Sequence, residues 1–302
     1  MGKRVHLPDH LSSAPFLLSE GMASGLTVGR MRGGDLSRPY SGVRVPQPGP
    51  TPLTLRQLAF TQQLRMPETW FFSHVTAAAL WGAPLPAHHE RSSMLHVASR
   101  APVRAPRSTG VRGHKLHVDD GDVHSVDGLR VTGPERTWLD LGTVLALPDL
   151  VAVGDFLIRR RQPLTSRTTL ETALGRYRTR RGVSNLRVAI ELLDPNSESR
   201  KETQLRVIAV TGGIDGIPAN LAITTRSGSR YRADLAIPGS RVILEYQSDY
   251  HAELDQVRRD MTRRSRLEAD GWFVMYINAD DLRDPVELVQ RIRTVAASRQ
   301  RR

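Results

Sequence analysis

RYRADLAIPGSRVILEYQSDYH, residues 230–251, decides how the C-terminal third of this chain is read. Two short apolar runs flank the turn-forming Pro238-Gly239-Ser240, which predicts two neighbouring strands. Residues two apart on a strand share a face, so Ile243, Glu245 and Gln247 look one way and Val242, Leu244 and Tyr246 the other. A carboxylate inside an apolar run is costly unless something binds it. Asp234, at the end of the first run, is placed to share that partner with Glu245. Two carboxylates and an amide oxygen on one point make an oxygen-only site, which suits Mg²⁺ and also accommodates Mn²⁺.

The flanking pattern extends this pair of strands into a domain. A helix is expected over 198–211, capped by Ser197 and stopped at Gly212-Gly213. Strands follow at 219–225, 231–237 and 241–246, then a helix at 254–269, a strand at 272–277 and a helix at 285–297. The succession helix-strand-strand-strand-helix-strand-helix predicts a compact α/β domain over 195–302, with Asp194-Pro195-Asn196 as its boundary.

Upstream, 51–194 reads as an α+β domain closed by a helical bridge. Its helices are expected at 53–64, capped by Thr54, at 72–82, capped by Ser73, and from Pro134. Short strands are expected at 93–98, 111–118, 122–126 and 129–131, and bridge helices at 147–160, 168–177 and 183–193. Residues 1–50, rich in Gly, Pro, Ser and Arg, read as a loosely ordered lead-in. A short hairpin can form around Arg38 to Val45, turning at Gly42.

Composition bounds the chemistry. Lys+Arg number 43 and Asp+Glu 31, a formal net charge of +12 that favours an anionic partner, most simply DNA. Only Lys3, Lys115 and Lys201 are lysines. The arginine preference suits phosphate recognition and is equally a product of a GC-rich coding genome. The chain has no cysteine, which excludes disulfides, thiolate nucleophiles and cysteine-bound zinc. No apolar run approaches a membrane span, and His6, Asp9 and His10 interrupt any signal-peptide core, so the expected location is cytoplasmic and no membrane partner is expected.

In the order and spacing of its motifs, the region 195–298 resembles the PD-(D/E)XK nuclease superfamily, and within it the branch similar to very-short-patch-repair endonucleases. The residues that carry the resemblance are Glu202 in SRKETQLR, Asp234 in YRADLAIP, Glu245-Tyr246-Gln247, Tyr250-His251, Arg258-Arg259-Asp260, Arg263-Arg264 and Gly271-Trp272. The resemblance implies a restriction-endonuclease-like fold and a Mg²⁺-dependent DNA endonuclease in repair or phage defence. Residues 20–160, through RPYSGVR (38–44), SHVTAAALWGAPLP (73–86) and GPERTWLDL (133–141), resemble actinobacterial relatives of abortive-infection-type antitoxins. That likeness implies regulatory or DNA-binding ancestry, with a homodimer or a toxin–antitoxin-type protein as partner.

Under the nuclease reading, Asp234 and Glu245 are the metal ligands, and a metal-bound water attacks the phosphodiester. The family often has lysine where Gln247 stands; a neutral amide can ligate through oxygen or position water through nitrogen, without the charge. The resemblance places Glu202 beside the metal, whereas a solvated helix start favoured by the helix dipole also explains it, and explains Glu198 better. His251 is a general acid or phosphate donor in the one reading and a structural strand-end residue in the other. Arg258, Arg259 and Arg263 contact phosphate rather than bases if the helix meets DNA; otherwise they form a solvated face, with Asp260 and Arg264 as an i,i+4 pair. His74 is expected to pack, and His88, His89, His114 and His117 complete no ligand set. The alternative is a catalytically weak or inactive DNA-binding, antitoxin-like regulator that keeps the fold.

Overall fold

A computed structural model describes residues 6–46, 52–247 and 254–300. The chain divides into two compact units, 1–140 and 141–302. Both are mixed α/β, and among the described residues there are three sheets. No helix among the described residues is long and apolar enough to cross a membrane.

The first unit contains α1 (Asp9–Ser12), β1 (Phe16–Leu17), α2 (Leu18–Ala23), β2 (Leu36–Ser37) and β3 (Val43–Pro46). Composition predicts a loose lead-in here, yet these elements form a three-stranded sheet, order β1-β3-β2, with a small apolar cluster of Leu11, Phe16, Leu26, Met31 and Leu36. The segment is short of apolar residues, and buried Arg44 compensates by hydrogen bonding: its Nε donates to Met31 O at 2.6 Å and its Nη1 to Val43 O at 2.7 Å. The expected turn is present, with Gly42 at φ +81°.

Next come α3 (Leu55–Gln63), β4 (Trp70–Phe72), α4 (His74–Leu80), α5 (Ala87–Glu90), β5 (Leu95–Arg100), β6 (Val111–Leu116), β7 (Val123–Val126), β8 (Leu129–Thr132) and α6 (Pro134–Leu141). Thr54 caps α3 through Gln57 in a reciprocal box, as its sequence implies. Ser73 does not cap α4: its hydroxyl lies 3.0 Å from His74 Nδ1, and His74 takes φ +50° at the helix start. The sheet order is β6-β5-β4-β8-β7, and β5 and β6 run parallel. One face of β5 carries Leu95 and Val97 into an apolar cluster with Phe72, Leu129 and Val131.

Gly113 on β6 lets the backbone of Pro106 approach so closely that an added Cβ would stand 1.8 Å from the proline carbonyl oxygen. Neither partner is a flexible side chain, so Gly113→Ala is expected to destabilise this unit by about 1–3 kcal/mol or more. Urea unfolding followed by circular dichroism measures it; an unchanged midpoint would show that Pro106 can retreat.

The second unit begins with α7 (Leu147–Ile158), α8 (Arg167–Arg176) and α9 (Val183–Glu191), then α10 (Arg200–Thr211), β9 (Ala219–Thr224), β10 (Arg230–Ile237), β11 (Val242–Tyr246), α11 (Leu254–Ala269), β12 (Phe273–Ile277) and α12 (Pro285–Gln300). From α10 onward the order of elements follows the expected succession. The division at 140/141, in place of the expected 194/195, has a physical basis in α7. Asp149 accepts from Arg200 Nε and Gln204 Nε2, both at 2.8 Å. Asp155, buried, accepts from Thr203 Oγ1 and Arg206 Nη2 at 2.8 Å and from Asp194 N at 2.7 Å. The Asp194-Pro195-Asn196 turn is therefore tied to α7 rather than free as a linker. Ser199, not Ser197, caps α10, accepting from Glu202 N at 3.1 Å; Ser197 is buried against the Thr203 hydroxyl.

The four-stranded sheet has the order β12-β11-β10-β9, antiparallel except for the parallel β11–β12 pair. One face packs Leu235, Val242, Leu244, Met275 and Ile277 against Leu205 and Ile208 of α10 and Leu288 and Ile292 of α12. On the other, Ala236, Ile243 and Val274 meet Leu267 of α11. The alternation expected for β11 holds: Val242 and Leu244 face α10, and Ile243 faces α11.

Candidate active site

The register of β10 and β11 pairs Leu235 with Leu244 and Ala236 with Ile243. Continued by one residue, it sets Asp234 opposite Glu245. Directly opposed antiparallel residues have Cβ atoms about 4.5–5.5 Å apart. The β9–β10 register, which pairs Ala233 with Leu221 and Leu235 with Ala219, sets Asn220 on the other side of Asp234. Asn220 sits at φ +55°, a left-handed conformation unusual for a strand residue. Across it the strand faces change: Ala219 and Leu235 pack toward α10, while Leu221 and Ala233 pack toward α11.

Asp234 Oδ2 accepts the Tyr246 backbone N–H at 3.1 Å. Burial raises its carboxyl pKa, and nearby Glu202 adds to the rise. Glu245 is pushed up to about 7 by burial, with Asp234 and Asp260 adding to the rise and Arg263 opposing it. Arg263 Nη2 donates to Glu245 Oε1 at 2.5 Å and to Arg232 O at 2.6 Å. Burial thus disfavours ionisation of both carboxyls more than the neighbouring arginine favours it. Two hard oxygen donors whose charged forms lack solvation fit a divalent ion of the Mg²⁺ class, which would favour ionisation. Asp234, Glu245 and Glu202 do not close into a compact trio in this arrangement, in which Arg263 holds Glu245.

Glu202, at the start of α10, accepts from Glu198 N at 3.1 Å and from Asn220 Nδ2 at 3.2 Å. The same Asn220 amide reaches Asn196 O at 2.5 Å, so a single side chain links the helix start to the kinked strand. Glu198 is exposed and pairs with Arg232. Gln247 follows β11 directly; its backbone N–H donates to Ile277 O at 2.7 Å and its side chain is exposed. His251 lies outside the described residues.

On α11, Arg258, Arg259, Thr262, Arg263 and Arg266 join Tyr231 around an open groove of about 300 Å³. Arg266 Nη1 stands 3.4 Å from the Tyr231 hydroxyl, and the Arg263 guanidinium lies 5.9 Å from that ring. Arg258 and Arg259 are exposed along it. Arg263 is committed to Glu245 and Arg232, so it joins groove and carboxylates rather than standing out as a free phosphate contact. Arg264 pairs with Glu268 at 2.7 Å.

Three features are not apparent from the sequence alone. Arg266 and Tyr231 complete the groove, although nothing in the sequence marks either of them out from its neighbours. Lys201, one of three lysines in the chain, places its ammonium 5.6 Å from the Tyr246 ring; its rarity and its position beside Glu202 are the available signal. In the first unit His74, His96 and His114 bring ring nitrogens within 4.8 Å of one another.

The chain is 29% identical over 219 residues to two uncharacterized proteins of Mycobacterium tuberculosis from different strains, a span covering 72% of this chain and 78% of theirs. No family model matches the chain. No solved structure matches it.

Proposed function

We propose that the second unit is a restriction-endonuclease-like domain of the PD-(D/E)XK type, hydrolysing phosphodiester bonds in DNA with a divalent ion held by Asp234 and Glu245. The observation that carries this reading is the register placing the two carboxyls opposite one another on adjacent strands, beside an arginine-lined groove. Bound there, Mg²⁺ or Mn²⁺ lowers the pKa of a coordinated water and offsets charge on the phosphoryl group. Asp234 is held in place by the Tyr246 N–H. Glu245 would hold the ion in place of its Arg263 contact, and Arg263 would still have Arg232 O as partner. Glu202, whose charge is felt by Asp234, would act on the ion's outer water layer, and Gln247 offers an amide at the strand end. Arg258 and Arg259 follow the phosphate backbone.

The second reading is a DNA-binding regulator of antitoxin type with little or no catalysis. The observation favouring it is the Arg263–Glu245 pair, which puts a guanidinium on a proposed ligand oxygen, with an amide rather than an ammonium at position 247. The deciding experiment is incubation of supercoiled plasmid and mismatched duplex with the full chain in Mg²⁺, Mn²⁺ or EDTA, beside Glu245→Ala. Metal-dependent nicking lost in the variant supports the nuclease; duplex binding without cleavage in any metal supports the regulator.

Both readings require the groove to meet phosphate. Arg258→Ala with Arg259→Ala is expected to weaken duplex binding similarly across sequences and to lower the salt slope by roughly 0.9 for each phosphate no longer neutralised. Fluorescence anisotropy over a salt series measures it; an unchanged slope would place the DNA elsewhere.

A further inference from the structure

We infer that His74, His96 and His114 form a binding site for one divalent transition-metal ion of the Zn²⁺ class, separate in unit and in chemistry from the carboxylate pair. The three residues are far apart in sequence and meet through the fold. The parallel β5–β6 register sets His96 opposite Arg112 and Ala98 opposite His114, so the two histidines share the sheet face away from Leu95 and Val97. His74 enters from the start of α4, anchored where Ser73 N donates to His96 O at 3.0 Å and His96 N donates to Thr76 Oγ1 at 2.8 Å.

His114 Nε2 and His96 Nδ1 are 3.1 Å apart. The His74 and His114 rings stack with centroids 3.7 Å apart, and those of His96 and His114 are 5.0 Å apart. All three donor atoms lie within 4.8 Å of one another. Tetrahedral zinc with bonds of about 2.0–2.1 Å requires nitrogens about 3.3 Å apart. Metal binding would turn the His74 ring out of its stack on His114, and the hydrogen shared by His96 and His114 would pass to a far ring nitrogen by tautomer exchange. No proton need leave the cluster.

A structural role alone leaves these rings poorly matched. Among the described residues no carboxylate hydrogen-bonds any of the three, so burial of three imidazoles is not offset by an acidic partner. His74 adopts a left-handed backbone, φ +50°, at the very residue that brings the third ring in, and strain of this kind collects at functional positions. Burial holds all three rings neutral, the form that binds metal, and neighbouring histidines add to this at His74 and His96. Arg112, and at His74 also Arg136, act in the same direction; as cations they would also repel a bound ion, but Arg136 is engaged by Asp140 and Arg112 is exposed. Imidazole nitrogen selects Zn²⁺, Co²⁺, Ni²⁺ or Cu²⁺ over Mg²⁺. Three histidines leave a fourth position for water or a small anion, and the half-buried His114 provides the side open to solvent.

The test uses the full chain, stripped with chelator and titrated with Co²⁺ and then Zn²⁺. The expected result is about one Co²⁺ per chain, with the intense visible bands of four-coordinate cobalt, displaced by Zn²⁺, and an imidazole-nitrogen shell in X-ray absorption. Loss of the bands in a folded His96→Gln/His114→Gln variant, with retention in Glu245→Ala and in His88→Ala/His89→Ala, supports the site. Absence of binding by the wild type at micromolar metal overturns it, as does an absorption shell without imidazole. Full binding in the folded double variant also overturns it. If the double variant unfolds, the wild-type absorption shell decides. Because Glu245→Ala is scored separately, failure here leaves the nuclease reading standing, and the reverse.

Discussion

With the second unit acting as the proposed nuclease, Glu245→Gln is expected to lower metal-dependent cleavage by on the order of 10³-fold or more while leaving the protein folded. The substitution keeps the shape of the side chain and an oxygen for Arg263 Nη2, and removes only the charge. Arg263 retains Arg232 O, and Asp234 retains the Tyr246 N–H, so neither neighbour is orphaned. The native carboxyl is pushed up to about 7, which means the fold carries Glu245 as a cost rather than a support. Thermal stability should therefore hold or rise as cleavage disappears. Single-turnover nicking in Mg²⁺, with melting followed in parallel, reads both quantities. Cleavage at the wild-type rate would remove Glu245 from the chemistry. Loss of folding would mean that Glu245 is structural.

The largest effect on stability is expected in the α7–α10 seam. Asp155→Ala should destabilise the second unit by about 3–5 kcal/mol, because it leaves the Arg206 guanidinium buried without its anion and takes an acceptor from the Asp194 N–H and from the Thr203 hydroxyl, which keeps only Ser197. Leu192 O, which accepts from Arg206 Nη1 at 2.6 Å, is the guanidinium's remaining partner. Burial raises the Asp155 carboxyl to about 6, against the opposing pull of Arg206. The native form then holds its proton to higher pH than the unfolded chain. Unfolding releases that proton between roughly pH 4 and 6, so this group's contribution to stability falls as pH rises through the window and is level above it. Asp155→Asn should flatten the slope there and cost less than alanine at neutral pH. Urea midpoints at several pH values would measure both; a slope unchanged in the asparagine variant would assign it to another carboxyl.

The elements of the second unit are legible in the sequence because each has a local cause. Breakers such as Gly212-Gly213 and Pro238-Gly239 separate the runs, and the two-residue alternation of VILEY fixes which side chains face α11. The opposition of Asp234 and Glu245 is half legible: their strands are clear, but register depends on how the turn closes. What Arg263 does is not legible. A basic helix face reads the same whether its arginines point to solvent or fold back on a neighbouring strand, and the deciding hydrogen bond spans 18 residues. The attachment of α7–α9 to α10 is hidden for a similar reason, since Asp149 and Asp155 look like surface residues of an amphipathic helix until α10 lies across them. The histidine cluster has no sequence spacing to betray it. His96 and His114 meet only because β5 and β6 run parallel, a pairing that no single segment encodes.

That same parallelism recurs in the second unit, where β11 and β12 lie side by side and α11 must bridge them. The strand bearing Glu245 and the helix bearing the arginine row are consequently one indivisible cassette. A graft or recombination that took β11 without Phe273–Ile277 would strip its neighbour from the sheet and leave α11 anchored at one end. The spacing between Glu245 and the arginine row is thus set by both strands together.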